Sequence, residues 1–312
     1  MTRALVTGVT GQDGYLLAAQ LLGEGCEVFG LARRADADVP PGVRVLVADL
    51  LDAESLRRAV AEARPDELYH LAAPTYVPAS FEEPERTRRE IVDATEVLVA
   101  AAPGGARVFC ASSAEIFGEA VESPQNEGSL RRPRNPYGEA KLAALEAVAA
   151  ARSRGVHAVA GILYNHESTR RPERFVPRRV SVGAAMIKLG LADELTLGDL
   201  EAVRDWSAAT DLMRGASLAL RHEEPDDYVL ASGVGRTVRE LVAVAFAHAG
   251  VPVEGRVRID PQFTRGVEAV PLVGDPSKAR RVLGWEPQVS FEELIGEMVD
   301  FDLARLGKSR SS

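Results

Sequence analysis

The chain has 312 residues, of which 46% are hydrophobic and 27% charged, and a formal net charge of -9. That length and apolar content can bury one large core or two modest ones, and the acidic balance excludes a surface built to follow a phosphate backbone. No apolar run approaches the roughly 20 residues needed to span a bilayer, and no secretory leader stands ahead of the first strand-like run, so a cytoplasmic protein is expected.

The first apolar run, Ala4-Leu5-Val6, leads into TGVTGQDG and then into the helical pattern YLLAAQLLGEG. Strand, glycine turn and helix in that order describe a dinucleotide site. Gly8 permits the tight turn, Gly11 lets the backbone approach a pyrophosphate, and Gly14 lets helix and strand pack closely. The next strand, EVFGLA, ends near Arg33 and Arg34, where a fold selective for NAD places an acid to hold ribose hydroxyls. Two arginines favour a 2′-phosphate, and therefore NADP, although Asp36 lies close by.

Further apolar runs at VRVLVAD, ELYHLAA, ARVFCAS and HAVAGILY alternate with helical segments such as AESLRRAVAEA and TEVLVAAA. The alternation predicts an α/β fold with a doubly wound parallel sheet covered by helices on both faces. Ligands of such sheets bind beyond the strand C-termini, where TGVTG, ADL, HLAAP, ASSAE and YNHES all stand. Cys26 and Cys110, without CxxC spacing, read as reduced core thiols, and the five histidines show no metal-ligand spacing.

Ser113 and Glu115 in CASSAEIFG precede NPYGEAK, in which Tyr137 and Lys141 sit one helical turn apart. Positions i and i+4 share a helix face, so the ammonium is expected beside the tyrosine hydroxyl, favouring its phenolate. Alone, such a pair is more often part of an ordinary exposed helix; the glycine turn upstream gives it a context. After about Asn165 the strict alternation breaks down: FVPRRVSVGAAMIKLGLA reads as a helix, ELTLGDLEAVRDW as short strands, TVRELVAVAFAHAG and SFEELIGEMVDFDLARL as helices. The expected organisation is a dinucleotide-binding domain over residues 1–164 with a return segment near 203–221, a smaller substrate-binding domain over 165–305, and a disordered tail over 306–312.

Together, TGVTGQDG, YNHESTRRPERFVPRR and LGDLEAVRDW resemble the extended short-chain dehydrogenase/reductases acting on nucleotide sugars, and within them the GDP-mannose 4,6-dehydratase family. The likeness covers most of the chain. It implies a Rossmann fold holding NADP, with Gly8, Thr10, Gly11, Gln12, Asp13 and Gly14 at the pyrophosphate and Asp49 and Leu50 flanking the adenine. Leu71, Ala72, Ala73 and Thr75 would line the cleft, with His166 and Arg171 near the nicotinamide half. Ser80, Glu115, Asn165, Val176, Arg179, Arg204, Arg265 and Glu268 match positions that serve the sugar nucleotide. The inferred chemistry has Tyr137, with Lys141 and Ser113, take the proton from the carbon-4 hydroxyl. Glu115 then removes the proton on carbon 5 and assists loss of the carbon-6 hydroxyl.

The chain departs from the family pattern at Ala114, where serine is usual, and at Pro74-Thr75-Tyr76, which replace polar groups. Arg179 stands for lysine, and Ser207 and Leu212 for glycine and tyrosine. The loop ADADVPPG lacks the longer segment by which such enzymes reach a neighbouring subunit, so a homodimer is expected rather than a tetramer. Two other readings stay open: an NADP-dependent enzyme acting on another GDP-hexose or GDP-heptose as dehydratase, 4-reductase or epimerase, and a non-catalytic NADP-binding regulator. Retention of Tyr137 and Lys141 weighs against the regulator.

Overall fold

Seven parallel strands form the centre of the computed structural model, which describes residues 1–260, 262 and 270–308. In chain order the first half runs β1 (Arg3–Thr7), α1 (Gln12–Gly23), β2 (Glu27–Ala32), β3 (Arg44–Val47), α2 (Ala53–Ala63), β4 (Glu67–His70), α3 (Val77–Glu82), α4 (Pro84–Arg88), α5 (Ala94–Ala101), β5 (Arg107–Ser113), α6 (Pro136–Ser153) and β6 (His157–Leu163). The second half runs β7 (Asn165–Glu167), α7 (Val176–Lys188), β8 (Leu195–Leu197), β9 (Val203–Ala208), α8 (Ala209–Arg221), β10 (Asp227–Leu230), β11 (Gly235–Thr237), α9 (Val238–Ala249), β12 (Val257–Ile259), α10 (Ser277–Leu283) and α11 (Phe291–Lys308).

The strand order is β3-β2-β1-β4-β5-β6-β10, so the winding direction reverses between β1 and β4. A crevice opens above that reversal, at the strand C-termini. Burial on both faces explains the near-continuous apolar runs: every residue of β4 is buried, as are Ala4 to Thr7 of β1. One face packs on α2, α5 and α6 around Leu56, Leu98 and Val148, the other on α1 and α8 around Leu17, Leu212 and Trp285. Local chemistry sets the helix starts. The Asp52 carboxylate accepts the Glu54 and Ser55 amides at the head of α2, and Thr237 with Glu240 forms a capping box on α9.

β10 was absent from the expected strands. It is four residues long and joins the sheet edge beside β6 only after the chain has passed through β9 and α8. Trp285, whose indole N–H donates to the Asp211 carbonyl at 2.9 Å, also returns to this core after α10.

A further hydrophobic cluster forms where α7, α9 and α11 pack around Leu241, Phe246 and Met298. Arg178 in α7 is buried and ion-pairs with buried Asp302 in α11 at 2.8 Å, and Ser181 Oγ donates to the same carboxylate at 2.8 Å. The helix α11 continues to Lys308, three residues into the segment expected as a tail. Among the described residues no helix is long and apolar enough to cross a membrane.

Candidate active site

Gly8 and Gly14 of the first turn leave no room for side chains, and a Cβ on Gly11 would lie 3.2 Å from the Gly8 carbonyl oxygen. Gly8 has φ of +71°, and a Cβ there would meet the Ala72 backbone nitrogen at 3.0 Å; a Cβ on Gly14 would lie 2.2 Å from the Gly8 carbonyl oxygen. α1 therefore begins directly over the turn, and its amide end faces the crevice, a polarity suited to a diphosphate. Thr7 fixes the opposite wall. Its hydroxyl accepts the amides of Leu71 and Ala72 at 3.1 and 3.0 Å and donates to His70 Nδ1 at 2.9 Å. Burial pushes His70 down to about 3, so the ring is neutral. Thr7 and His70 escaped the sequence reading because each looks like an ordinary strand residue.

Gln12 and Asp13 bond to β7 and the residue that follows it. Gln12 Nε2 donates to the His166 carbonyl at 3.1 Å, Ser168 Oγ donates to Gln12 Oε1 at 2.9 Å, and Asp13 Oδ2 meets His166 Nε2 at 2.9 Å. Burial opposes charge on both partners, yet the His166 ring holds Asp13 below its ordinary value and Asp13 raises His166, as expected for an imidazolium–carboxylate pair. Arg171 Nε lies 3.1 Å from buried Glu167 Oε2, and its guanidinium covers Phe175 at 3.6 Å.

Beyond β2, Thr10, Ala32, Arg33, Arg34, Ala37 and Asp38 line a hollow of about 570 Å³. Both arginines are exposed, Arg34 sitting 3.3 Å from Asp36. Arg170, which the sequence reading passed over, lies 2.9 Å from Asp38 and stacks on Tyr15 at 3.5 Å, so the acid nearest the hollow is neutralised. Asp49 and Leu50 follow β3 on the same rim, the Asp49 carboxylate accepting the Leu51 amide at 2.9 Å. The glycine cradle and this cationic hollow fit a dinucleotide carrying a 2′-phosphate. An Arg33→Ala/Arg34→Ala variant is expected to bind NADP on the order of ten- to a hundred-fold more weakly and NAD with little change, by calorimetric titration. Equal losses for both would separate the arginines from phosphate recognition.

The reacting groups stand above β5. Ser113 Oγ accepts the Glu115 amide at 3.2 Å, and its hydroxyl draws the Tyr137 phenol downward. Tyr137 and Lys141 are buried, on the first two turns of α6. Their pairing differs from the expected one. Lys141 Nζ donates to the Ala111 carbonyl at 2.7 Å and lies 5.8 Å from the Tyr137 ring centroid, while burial lowers it to about 8. Burial pushes Tyr137 up to about 12, Ser113 pulling it back and Glu115 pushing it further, so the resting hydroxyl is a phenol. Desolvation outweighs the cationic neighbour that i,i+4 spacing led the sequence reading to favour.

Glu115 is half-buried, and Asn135 Nδ2 donates to its Oε2 at 2.7 Å. Asn135 also caps α6, its Oδ1 accepting the Gly138 amide at 2.8 Å. A Cβ on Gly138 would lie 2.6 Å from the Glu115 carbonyl oxygen, so the helix start rests directly on the turn that carries the acid.

On the substrate side, β7 and β9 pair with Asn165 opposite Trp206, which puts Arg204 two residues along the neighbouring strand on the same sheet face. Arg204 Nη1 donates to the Val203 carbonyl at 2.7 Å. Val176 and Arg179 lie on the first turn of α7; Arg179 is half-buried, while its neighbour Arg178 is committed to Asp302. Ser80 is buried and its hydroxyl donates to the Val77 carbonyl at 2.7 Å, inside α3. Ala73 is half-buried and Thr75 exposed in the loop before α3, where Tyr76 meets Phe175 edge-on at 6.4 Å. Arg265 and Glu268 lie outside the described residues. A second hollow, of about 730 Å³, is rimmed by Glu292, Glu293, Glu297 and Asp300 on α11 and would repel a sugar diphosphate. Among the described residues no group of three or more His, Cys, Asp or Glu could hold a metal ion.

A family model described as GDP-mannose 4,6 dehydratase matches residues 5–298. GDP-mannose 4,6 dehydratase 2 of Arabidopsis thaliana is 41% identical over 96% of this chain and 86% of its own length. GDP-mannose 4,6-dehydratase of Sinorhizobium fredii is 39% identical, covering 98% of each chain. Among solved structures, RMD from Pseudomonas aeruginosa complexed with NADPH superposes with a TM-score of 0.83 at 27% identity, covering 98% of this chain and 100% of that one.

Proposed function

The chain belongs to the GDP-mannose 4,6-dehydratase family, and from that premise we propose how its own residues convert GDP-mannose to GDP-4-keto-6-deoxymannose with loss of water. The observation that carries the proposal is the placing of Glu115 beside Tyr137. Its amide is held by Ser113, its carboxylate is oriented by Asn135, and its charge acts on the Tyr137 phenol. A 4-reductase or 4-epimerase needs the tyrosine but no base directed at carbon 5.

NADP, held by the Gly8–Gly14 turn with Arg33 and Arg34, would supply the hydride chemistry, as acceptor at carbon 4 and donor at carbon 6. Tyr137 accepts the proton of the carbon-4 hydroxyl, with Ser113 drawing the phenol downward and Lys141 buried on the next turn. Oxidation leaves a ketone at carbon 4, which acidifies the proton on carbon 5. Glu115 removes that proton and delivers it to the departing carbon-6 hydroxyl, so water leaves and a carbon-5/carbon-6 double bond forms. Hydride at carbon 6 and a proton at carbon 5 then complete the 4-keto-6-deoxy sugar, and no cofactor is consumed. Arg179 and Arg204 present guanidinium forks to the diphosphate, with Asn165 and Val176 beside them. We further propose a cytoplasmic homodimer, paired through the alanine-rich face of α6.

Purified protein incubated with GDP-mannose and catalytic NADP should yield a nucleotide sugar lighter by one water, by mass spectrometry, without added reductant. Unchanged GDP-mannose with cofactor binding intact would overturn the substrate. An isomer of unchanged mass would point to epimerisation.

A further inference from the structure

Asn135 touches both halves of the reacting pair, although NPYGEAK is usually read for its tyrosine and lysine. It is 4% exposed, between the turn after β5 that carries Glu115 and the helix that carries Tyr137. One amide serves both: Oδ1 accepts the Gly138 amide at 2.8 Å and Nδ2 donates to Glu115 Oε2 at 2.7 Å. The absent side chain of Gly138 allows this closeness, since a Cβ there would lie 2.6 Å from the Glu115 carbonyl oxygen.

Capping alone does not require this residue. Serine, aspartate and asparagine cap helices about equally well. Only asparagine combines the capping oxygen with a donor on the same short arm. Serine would stop short of Glu115, and aspartate would set a second carboxylate against it. A bond to one oxygen fixes the plane of the Glu115 carboxylate and leaves the other oxygen to act as base.

We infer that Asn135 is a positioning residue that aims Glu115 at carbon 5 and locks it to the helix bearing Tyr137, an inference that rests on the proposed role of Glu115. Its effect belongs to the elimination step, after carbon 4 has been oxidised.

The test compares Asn135→Ser and Asn135→Asp with Glu115→Gln, reading four quantities: water loss by mass spectrometry, absorbance of reduced cofactor, KM for GDP-mannose, and the thermal midpoint. Asn135→Ser keeps a cap and loses the donor. Its kcat for water loss is expected to fall on the order of ten- to a hundred-fold with KM and thermal midpoint unchanged, while reduced cofactor accumulates. Asn135→Asp, of the same shape, is expected to fall further because like charges face each other, and it carries the test if the serine variant does not fold. An unchanged kcat, an equal loss of carbon-4 oxidation, a loss that follows the thermal midpoint, or an aspartate variant at least as active as the serine variant would overturn the inference. Glu115→Gln separates the two levels: if it retains water loss, the role of Glu115 itself fails; if it loses water loss while the Asn135 variants do not, only the positioning role fails.

Discussion

Glu115→Gln is expected to release the dehydrated product on the order of 1,000-fold more slowly than the parent enzyme, within the range by which positioned acid–base groups accelerate proton transfer. The glutamine side chain has the same length, and its carbonyl oxygen can still accept from Asn135 Nδ2, so the 2.7 Å contact and the head of α6 should survive. What is lost is the basic lone pair at carbon 5. Oxidation at carbon 4 uses Tyr137 and proceeds, so the variant should accumulate reduced cofactor and a 4-keto sugar of undiminished oxygen count. Rapid mixing with GDP-mannose, followed by cofactor absorbance and mass spectrometry of the quenched mixture, reads both. Water release at the parent rate would remove Glu115 from the mechanism.

Tyr137→Phe should stop the reaction one step earlier. The phenol has been pushed up to about 12 by burial, so at neutral pH it meets the substrate protonated and has to pass its proton on before it can accept one. We assign that relay to the Ser113 hydroxyl, which draws the phenol downward. Removing the hydroxyl is expected to slow carbon-4 oxidation by on the order of 1,000-fold, with no accumulation of reduced cofactor and with GDP-mannose still bound. The two variants therefore differ in kind: one halts with hydride already transferred, the other before transfer. A phenylalanine variant that still builds up reduced cofactor would assign the base to another group.

Much of this was legible beforehand. The apolar runs named six strands of the central sheet, because strands buried on both faces carry few polar residues. Gly8 and Gly14 were readable for the same reason that they are required: no other side chain fits the turn. Contacts between residues far apart in sequence were less legible. Nothing local marks β10 as a sheet edge, and nothing in FVPRR says that Arg178 is spent on Asp302. Lys141 shows the limit of spacing as evidence. A shared helix face put it beside Tyr137, but only the fold reveals that its ammonium also donates to the Ala111 carbonyl. Asn135 stood in plain view, yet its second bond crosses 20 residues to Glu115.

The bonds from Gln12 and Asp13 to His166 and Ser168 join residues at least 153 positions apart in the chain. The glycine turn at the head of α1 is thereby riveted to β7, the strand that opens the second half of the chain. For an ordinary dehydrogenase, which must exchange its nucleotide in every turnover, such a rivet would be a hindrance. For a catalyst that takes a hydride and gives it back, it is an economy of motion: the nucleotide can stay aboard like a built-in part, and only the sugar needs a door.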